Sequence, residues 1–181
     1  MIGATIALDD LLTSCGAHLD HDDPGAHCSD AVRSTLATHR RAIALKYADH
    51  RDLAVVHRSP TLTMLVVPTP PWYWFWPHEH RMWAVTAMLV GSEHHIVYDR
   101  HDHGIVERRR FHIDEGIAAA MPPDVVHAAG NESDLVTIGL HIYGGDPSET
   151  ECVEWDPSTG RSRHIDEATS QRRRDAMERI H

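Results

Sequence analysis

The sequence predicts a mainly β protein, a barrel or sandwich with helices at both ends. Three observations carry that prediction. From about residue 52 onward, short β-prone runs alternate with turn residues at close spacing. Residues 5–50 show apolar positions at helical spacing, and residues 166–180 form a charged stretch with few apolar points. At 181 residues the chain is most simply one domain, large enough to bury a core unaided. Its parts are a helical segment over 1–50, a β-barrel over 53–165 and a C-terminal helix over 166–181.

In the first segment Ile6, Leu8, Leu11 and Leu12 suit one helical face. Ala31, Leu36, Ile43, Leu45 and Tyr47 supply a second. Between them His18-Leu19-Asp20-His21-Asp22-Asp23-Pro24-Gly25 reads as a polar loop, with the next helix starting near Ser29. Its His and Asp side chains are of cation-binding types, but a solvated loop accounts for them. Strands are expected over 53–57, 61–67, 83–89, 95–98, 117–120, 125–128 and 135–143. Runs 151–155 and 161–165 flank Asp156-Pro157-Ser158-Thr159-Gly160, a hairpin signal. In the C-terminal helix Ala168, Ala176, Met177 and Ile180 are the apolar points.

The formal net charge is −10 with histidine neutral, which argues against nucleic acid as the main partner. Cys15, Cys28 and Cys152 are few and odd in number, without a C-x-x-C, so a disulfide scaffold is not expected. No basic segment precedes an apolar run at the N-terminus, and no stretch reaches membrane-spanning length. The expectation is a cytoplasmic protein without a membrane partner.

The chemistry concentrates in histidine. His78-x-His80 puts two imidazoles on one face of a strand, with Trp72, Trp74, Trp76, Met82 and Ala84 of the same parity and Glu79 facing away. Gly116, Pro122, Asp124, His127 and Asn131 then read G-x5-P-x-D-x2-H-x3-N. Two separated segments meeting one ion would explain both, and neutral imidazole suits iron, zinc, copper or nickel. Among 17 histidines an isolated H-x-H means little. His101-x-His103 and His94-His95 are therefore read as surface loop.

The two frames resemble the paired signatures of the cupins, whose fold is a double-stranded β-helix, a jelly-roll barrel. His78, His80 and Gly91 fit the first signature, while Trp72 stands at its first glycine and Ala84 at its usual glutamate ligand. In the second, Asp124 stands where the family usually has glycine. Without the glutamate, three neutral imidazoles leave a site of formal charge +2, which invites an anionic ligand such as a thiolate.

Within the cupins the chain resembles the cysteine dioxygenase-like branch over roughly residues 53–165. Pro77-His78-Glu79-His80-Arg81-Met82-Trp83-Ala84-Val85, Pro122 to Asn131, Gly139-Leu140-His141-Ile142-Tyr143, and Cys152-Val153-Glu154-Trp155-Asp156-Pro157-Ser158-Thr159-Gly160 follow one another as that branch's segments do. The resemblance implies Fe(II) on His78, His80 and His127. It implies oxidation of a small thiol to a sulfinate, using both atoms of O2. Tyr143 would stand near O2 or substrate, and His141 would orient its hydroxyl. Many cupins dimerise, so a homodimer is an open expectation.

Three departures bear on the substrate. Gly139 replaces the serine that partners the histidine in that branch, no cysteine lies near Ala84 to crosslink the tyrosine, and only Arg58 matches the carboxylate-binding arginine. A guanidinium orients a carboxylate by bidentate pairing. Arg81 alternates away from the ligands, so Arg58 is the candidate. Trp74, Trp76 and Met82 are candidate substrate-binding residues, and the run Trp72 to Trp76 reads equally as pocket wall or core. Cys152 is expected to be a semi-buried thiol. Arg108-Arg109-Arg110 and Arg172-Arg173-Arg174 read as solvated faces. The alternatives are a metal-dependent cupin oxygenase acting at carbon or nitrogen, a cupin that binds a metal or ligand without turnover, and a zinc or manganese isomerase or hydrolase.

Overall fold

The computed structural model describes residues 2–165. The helix expected beyond them, with its Arg172-Arg173-Arg174 run, lies outside the described residues. Two helices, α1 (Ile2–Gly16) and α2 (Pro24–Tyr47), precede eleven strands. These are β1 (Ala54–Arg58), β2 (Thr63–Thr69), β3 (His78–Glu79), β4 (Ala84–Val90), β5 (Glu93–His101), β6 (Gly104–Ile113), β7 (Ala118–Met121), β8 (Val126–Gly130), β9 (Thr137–Tyr143), β10 (Val153–Trp155) and β11 (Ser162–His164).

One sheet has the order β1-β2-β9-β4-β7 and the other β11-β10-β3-β8-β5-β6. Strands β2 to β9 thus divide as 2-9-4-7 and 3-8-5-6, the two interleaved Greek keys of a jelly roll. All ladder pairs between named strands are antiparallel. The fold is the double-stranded β-helix expected from the sequence.

Strand parity explains why the first sheet carries apolar residues on both faces. Val66, Val85, Ala87, Leu89, Leu140 and Ile142 form one core with Leu8, Leu11, Val32, Leu36 and Ile43 of the helices. The intervening residues Leu65, Val67, Ala84 and Tyr143 cluster separately on the barrel side. The helices therefore cover the outer face and leave the inner face to build a site.

Four details depart from the sequence reading. Helix α2 starts at Pro24 rather than near Ser29; Asp23 accepts from the Ala26 amide at 2.9 Å, and proline at the first helical position needs no donor. Cys15 and Cys28 form a disulfide with Cα atoms 4.8 Å apart, tying the end of α1 to the start of α2. Strand β6 was not expected because its charged run hides the alternation. Arg110 pairs with Glu107 at 2.9 Å and Arg108 with Asp99 at 3.6 Å, which makes that run a solvated face. Finally β5 begins at Glu93, two residues before the expected strand, and runs to His101, so His94-His95 and His101 are strand residues rather than surface loop.

Candidate metal centre

Strands β3 and β8 bring the three histidines together. His78 pairs directly with His127 across that ladder, and His80 follows just past the end of β3. His80 Nε2 stands 3.2 Å from both His78 Nε2 and His127 Nε2. Nitrogens about 2.1 Å from a common centre stand roughly 3.0 to 3.4 Å apart, so the three lone pairs suit one ion. Among the described residues this is the one group of three or more potential ligands whose donor atoms lie within 4.8 Å of one another. His18, His21 and His27 bring their ring centroids within 4.7 to 5.0 Å on the surface without such convergence of donor atoms.

An outer contact fixes the tautomer of His78. His78 Nδ1 donates to the Trp76 carbonyl at 2.7 Å, which leaves Nε2 bare. The Cys152 thiol donates to the His80 carbonyl at 3.3 Å and anchors the bend after β3. Burial lowers the pKa of His78, and lowers those of His80 and His127 well below the ordinary value, with neighbouring imidazoles adding to the effect on the latter two. All three therefore keep free lone pairs at neutral pH. Glu79 faces away, as alternation requires, and is enclosed by Arg81 at 3.0 Å and by Arg100.

Tyr143 and His141 both point into the barrel. The Tyr143 ring lies 4.9 Å from that of His80 and 6.4 Å from that of His141. Burial pushes the Tyr143 hydroxyl pKa upward, so it stays protonated. His141, expected to orient the Tyr143 hydroxyl, has its Nδ1 3.5 Å from the Thr86 hydroxyl. A Cβ added at Gly139 would stand 2.5 Å from His141 Nε2, so glycine admits the ring, and that nitrogen faces Glu93 Oε2 at 3.4 Å.

Glu93 and His95 escaped the sequence reading. Glu93 is 1% exposed and His95 1% exposed. His95 Nδ1 lies 3.2 Å from His127 Nδ1, and His95 Nε2 lies 3.0 Å from Glu93 Oε1. Burial alone would raise the Glu93 carboxyl; the facing His141 and His95 imidazoles outweigh it and hold it below the carboxylate range. The signal was the shared parity of Glu93, His95 and Val97, obscured by reading His94-His95 as loop.

Two small cavities meet at the triad. The outer, of about 210 Å³, is lined by Tyr73, Phe75, Trp76, Cys152 and Glu154 among others. The inner, of about 110 Å³, reaches Thr86, Met121 and His141. Both touch Leu65, Phe75, His78, His80 and Tyr143. No arginine or lysine among the described residues lines either.

Of the candidate substrate residues, Trp76 lines the outer cavity, with the Arg163 guanidinium over its ring at 5.1 Å. Arg58, Trp74 and Met82 do not line it. Arg58 stands 3.8 Å from Asp146 in a separate surface hollow that also contains Arg81. Trp74 lies against Gly130, where an added Cβ would come within 2.4 Å of the indole. Met82 joins the inner cluster with Leu65 and Tyr143, with its sulfur toward Gly145. The aromatic run is thus split between cavity wall and structural packing. Asn131 is structural as well: it is fully buried and donates to the carbonyls of Thr69, Pro70 and Leu135.

No family model matches the sequence. No curated protein matches it. Solved structures do resemble the fold. An RmlC-like cupin family protein with a double-stranded β-helix fold from Methanocaldococcus jannaschii aligns with 56% of this chain and 87% of its own at 12% identity, TM-score 0.45. A Bacillus halodurans protein aligns with 57% of this chain and 77% of its own at 12% identity, TM-score 0.50. The DMSP lyase DddQ from Ruegeria pomeroyi aligns with 59% of this chain at 18% identity, TM-score 0.44, and the chain spans about half, 52%, of its length. At these identities the likeness is one of fold.

Proposed function

We propose that this protein is a non-haem Fe(II)-dependent dioxygenase that oxidises a small thiol-bearing metabolite to a sulfinic acid. One observation carries the reading: three imidazole nitrogens, half-buried on His78 and His80 and buried on His127, converge without a carboxylate ligand among the described residues, beside Tyr143, where two apolar cavities meet. When bound, Fe(II) supplies Lewis acidity toward a thiol and redox capacity toward O2. The reaction balances without a further reductant. A thiolate and O2 give a sulfinate, sulfur losing four electrons and both oxygen atoms ending on sulfur.

The chain's own residues have separate tasks. His78, His80 and His127 turn their Nε2 atoms toward one point, and burial keeps the rings neutral so that each has a lone pair to give. Leu65 and Phe75 form apolar wall beside the reacting centre and limit water there. Tyr143 remains protonated and donates a hydrogen bond toward substrate or oxygen. The lack of a cationic side chain among the described residues of either cavity favours a thiol without a carboxylate, and Arg58 takes no part. The aromatic wall of Tyr73, Phe75 and Trp76 gives weight to a second reading, a cupin oxygenase acting on a non-thiol aromatic or apolar substrate.

Oxygen consumption by the anaerobically iron-loaded protein tests the proposal. The panel is cysteine, 3-mercaptopropionate, cysteamine, mercaptosuccinate and an aromatic thiol. The expected result is uptake with a thiol lacking a carboxylate and one sulfinate formed per O2. No uptake with any thiol, despite bound iron, would transfer the assignment to the second reading or to a binding protein.

A further inference from the structure

We propose that Glu93 and His95 act as a buried positioning chain for His127, and that the same carboxylate holds His141. The inference rests on His127 being a metal ligand. The contacts run from His127 Nδ1 to His95 Nδ1 at 3.2 Å, from His95 Nε2 to Glu93 Oε1 at 3.0 Å, and from Glu93 Oε2 to His141 Nε2 at 3.4 Å. His127 and His95 stand on neighbouring strands β8 and β5, whereas His141 stands on β9 of the opposite sheet. Glu93 therefore spans the barrel interior.

Proton placement along this chain has one solution once His127 Nε2 coordinates. The proton of His127 must then sit on Nδ1, which faces His95 Nδ1. Two facing nitrogens share one proton, so His95 Nδ1 is the acceptor and His95 Nε2 carries the hydrogen. That hydrogen faces Glu93 Oε1. The other carboxylate oxygen receives the His141 Nε2 proton, which leaves His141 Nδ1 to accept from the Thr86 hydroxyl at 3.5 Å. Every group finds a complementary role, with Glu93 anionic.

Two features indicate a device rather than incidental packing. The His95 and His127 rings are parallel within 8° with centroids 5.4 Å apart, the edge-to-edge placement that an in-plane contact of 3.2 Å between their nitrogens requires, and Phe111 lies parallel to His95 within 7° at 4.8 Å. Packing on Phe111 sets the plane of His95, and the in-plane contact carries that orientation and the tautomer to His127. In addition, Glu93 Oε1, His95 Nε2 and His141 Nε2 lie at contact distance yet lack aligned hydrogen bonds. Buried polar atoms are rarely left so. The separations of 3.0 and 3.4 Å are within hydrogen-bond reach, so the three atoms have only one another to pair with. A full negative charge one imidazole away from the site also offsets part of the positive charge that three neutral ligands leave on an ion.

The test is metal affinity, measured by chelator competition on the full chain with Fe(II) and Co(II), alongside the Co(II) visible spectrum. Glu93→Gln keeps size and removes charge; His95→Phe keeps a ring against Phe111 and removes both nitrogens. Each should weaken affinity roughly 10- to 100-fold, as loss of such outer partners does, and alter the Co(II) spectrum while near-UV circular dichroism stays unchanged. If the residues act in series, the double variant should be little worse than either single one. Affinities within twofold of wild type in His95→Phe would overturn the proposal, even if Glu93→Gln failed to fold. Additive losses would also overturn it as a chain. Absence of metal binding by the wild-type protein would instead defeat the reading of the triad itself.

Discussion

Trp72 shows how a single backbone angle connects signature to structure. It stands where the first cupin signature has glycine, and its φ is +56°. That left-handed conformation costs an L-residue about 1–2 kcal/mol. Trp72→Gly should therefore be about 1 kcal/mol more stable than Trp72→Ala in urea unfolding, the reverse of the usual order; equal stabilities would remove the strain argument. Gly139 makes the opposite case. Gly139→Ser restores the residue expected at that position of the branch, yet its Cβ would collide with His141. It should destabilise by about 1–3 kcal/mol, the cost of overpacking a filled core. A thermal midpoint equal to wild type would show that His141 has room to move. Tyr143→Phe keeps the ring beside His80 and removes the protonated hydroxyl. Steady-state oxygen uptake should show turnover falling far more than substrate affinity; unchanged turnover would return Tyr143 to a packing role.

At the level of elements, the disulfide is the feature most open to a direct stability measurement. Cys15 and Cys28 are 13 residues apart, and closing a loop of that size is worth about 3 kcal/mol by the chain-entropy account. Cys28→Ser should lose about that much under oxidising conditions and match wild type in excess dithiothreitol. An equal loss in both would place the effect in packing. The disulfide was invisible in sequence because cysteine count carries no information about the α1–α2 hairpin that brings the pair together. Strand β8 was legible because His127 sits in the β-prone run 125–128, whereas His78 and His80 were placed by their H-x-H spacing, since β3 is only two residues long. Strand β6 was not, since Glu107 to Arg110 are all exposed and an exposed edge strand needs no apolar alternation. Glu93 and His95 failed for a different reason. A buried carboxylate reads as surface until its partners are known, and His141 comes from the other sheet.

On the scale of the whole molecule, the barrel places buried titratable groups around one centre, and this sets its response to acid. The three histidine pKa values lie below 6.5 when folded, so the unfolded chain binds more protons once the pH falls below about 6.5. Glu93 acts in the same direction at lower pH, since its folded carboxyl is held below the ordinary value of 4.5. Stability is therefore fully present above about pH 6.5 and declines as the pH falls through the histidine and then the carboxylate range. Urea midpoints of the metal-free protein from pH 7.5 to 4 check this; a flat profile would contradict the burial of neutral imidazoles. Protons also compete with metal for the same lone pairs, so affinity should fall over the histidine range. No helix among the described residues is long and apolar enough to cross a membrane. The central claim, that His78, His80 and His127 together hold one ion, is tested most directly by metal content after anaerobic loading with Fe(II) and desalting. The account predicts one iron per chain in the wild-type protein and a near-complete loss in a folded His127→Ala variant. Stoichiometric iron retained by that variant would contradict it.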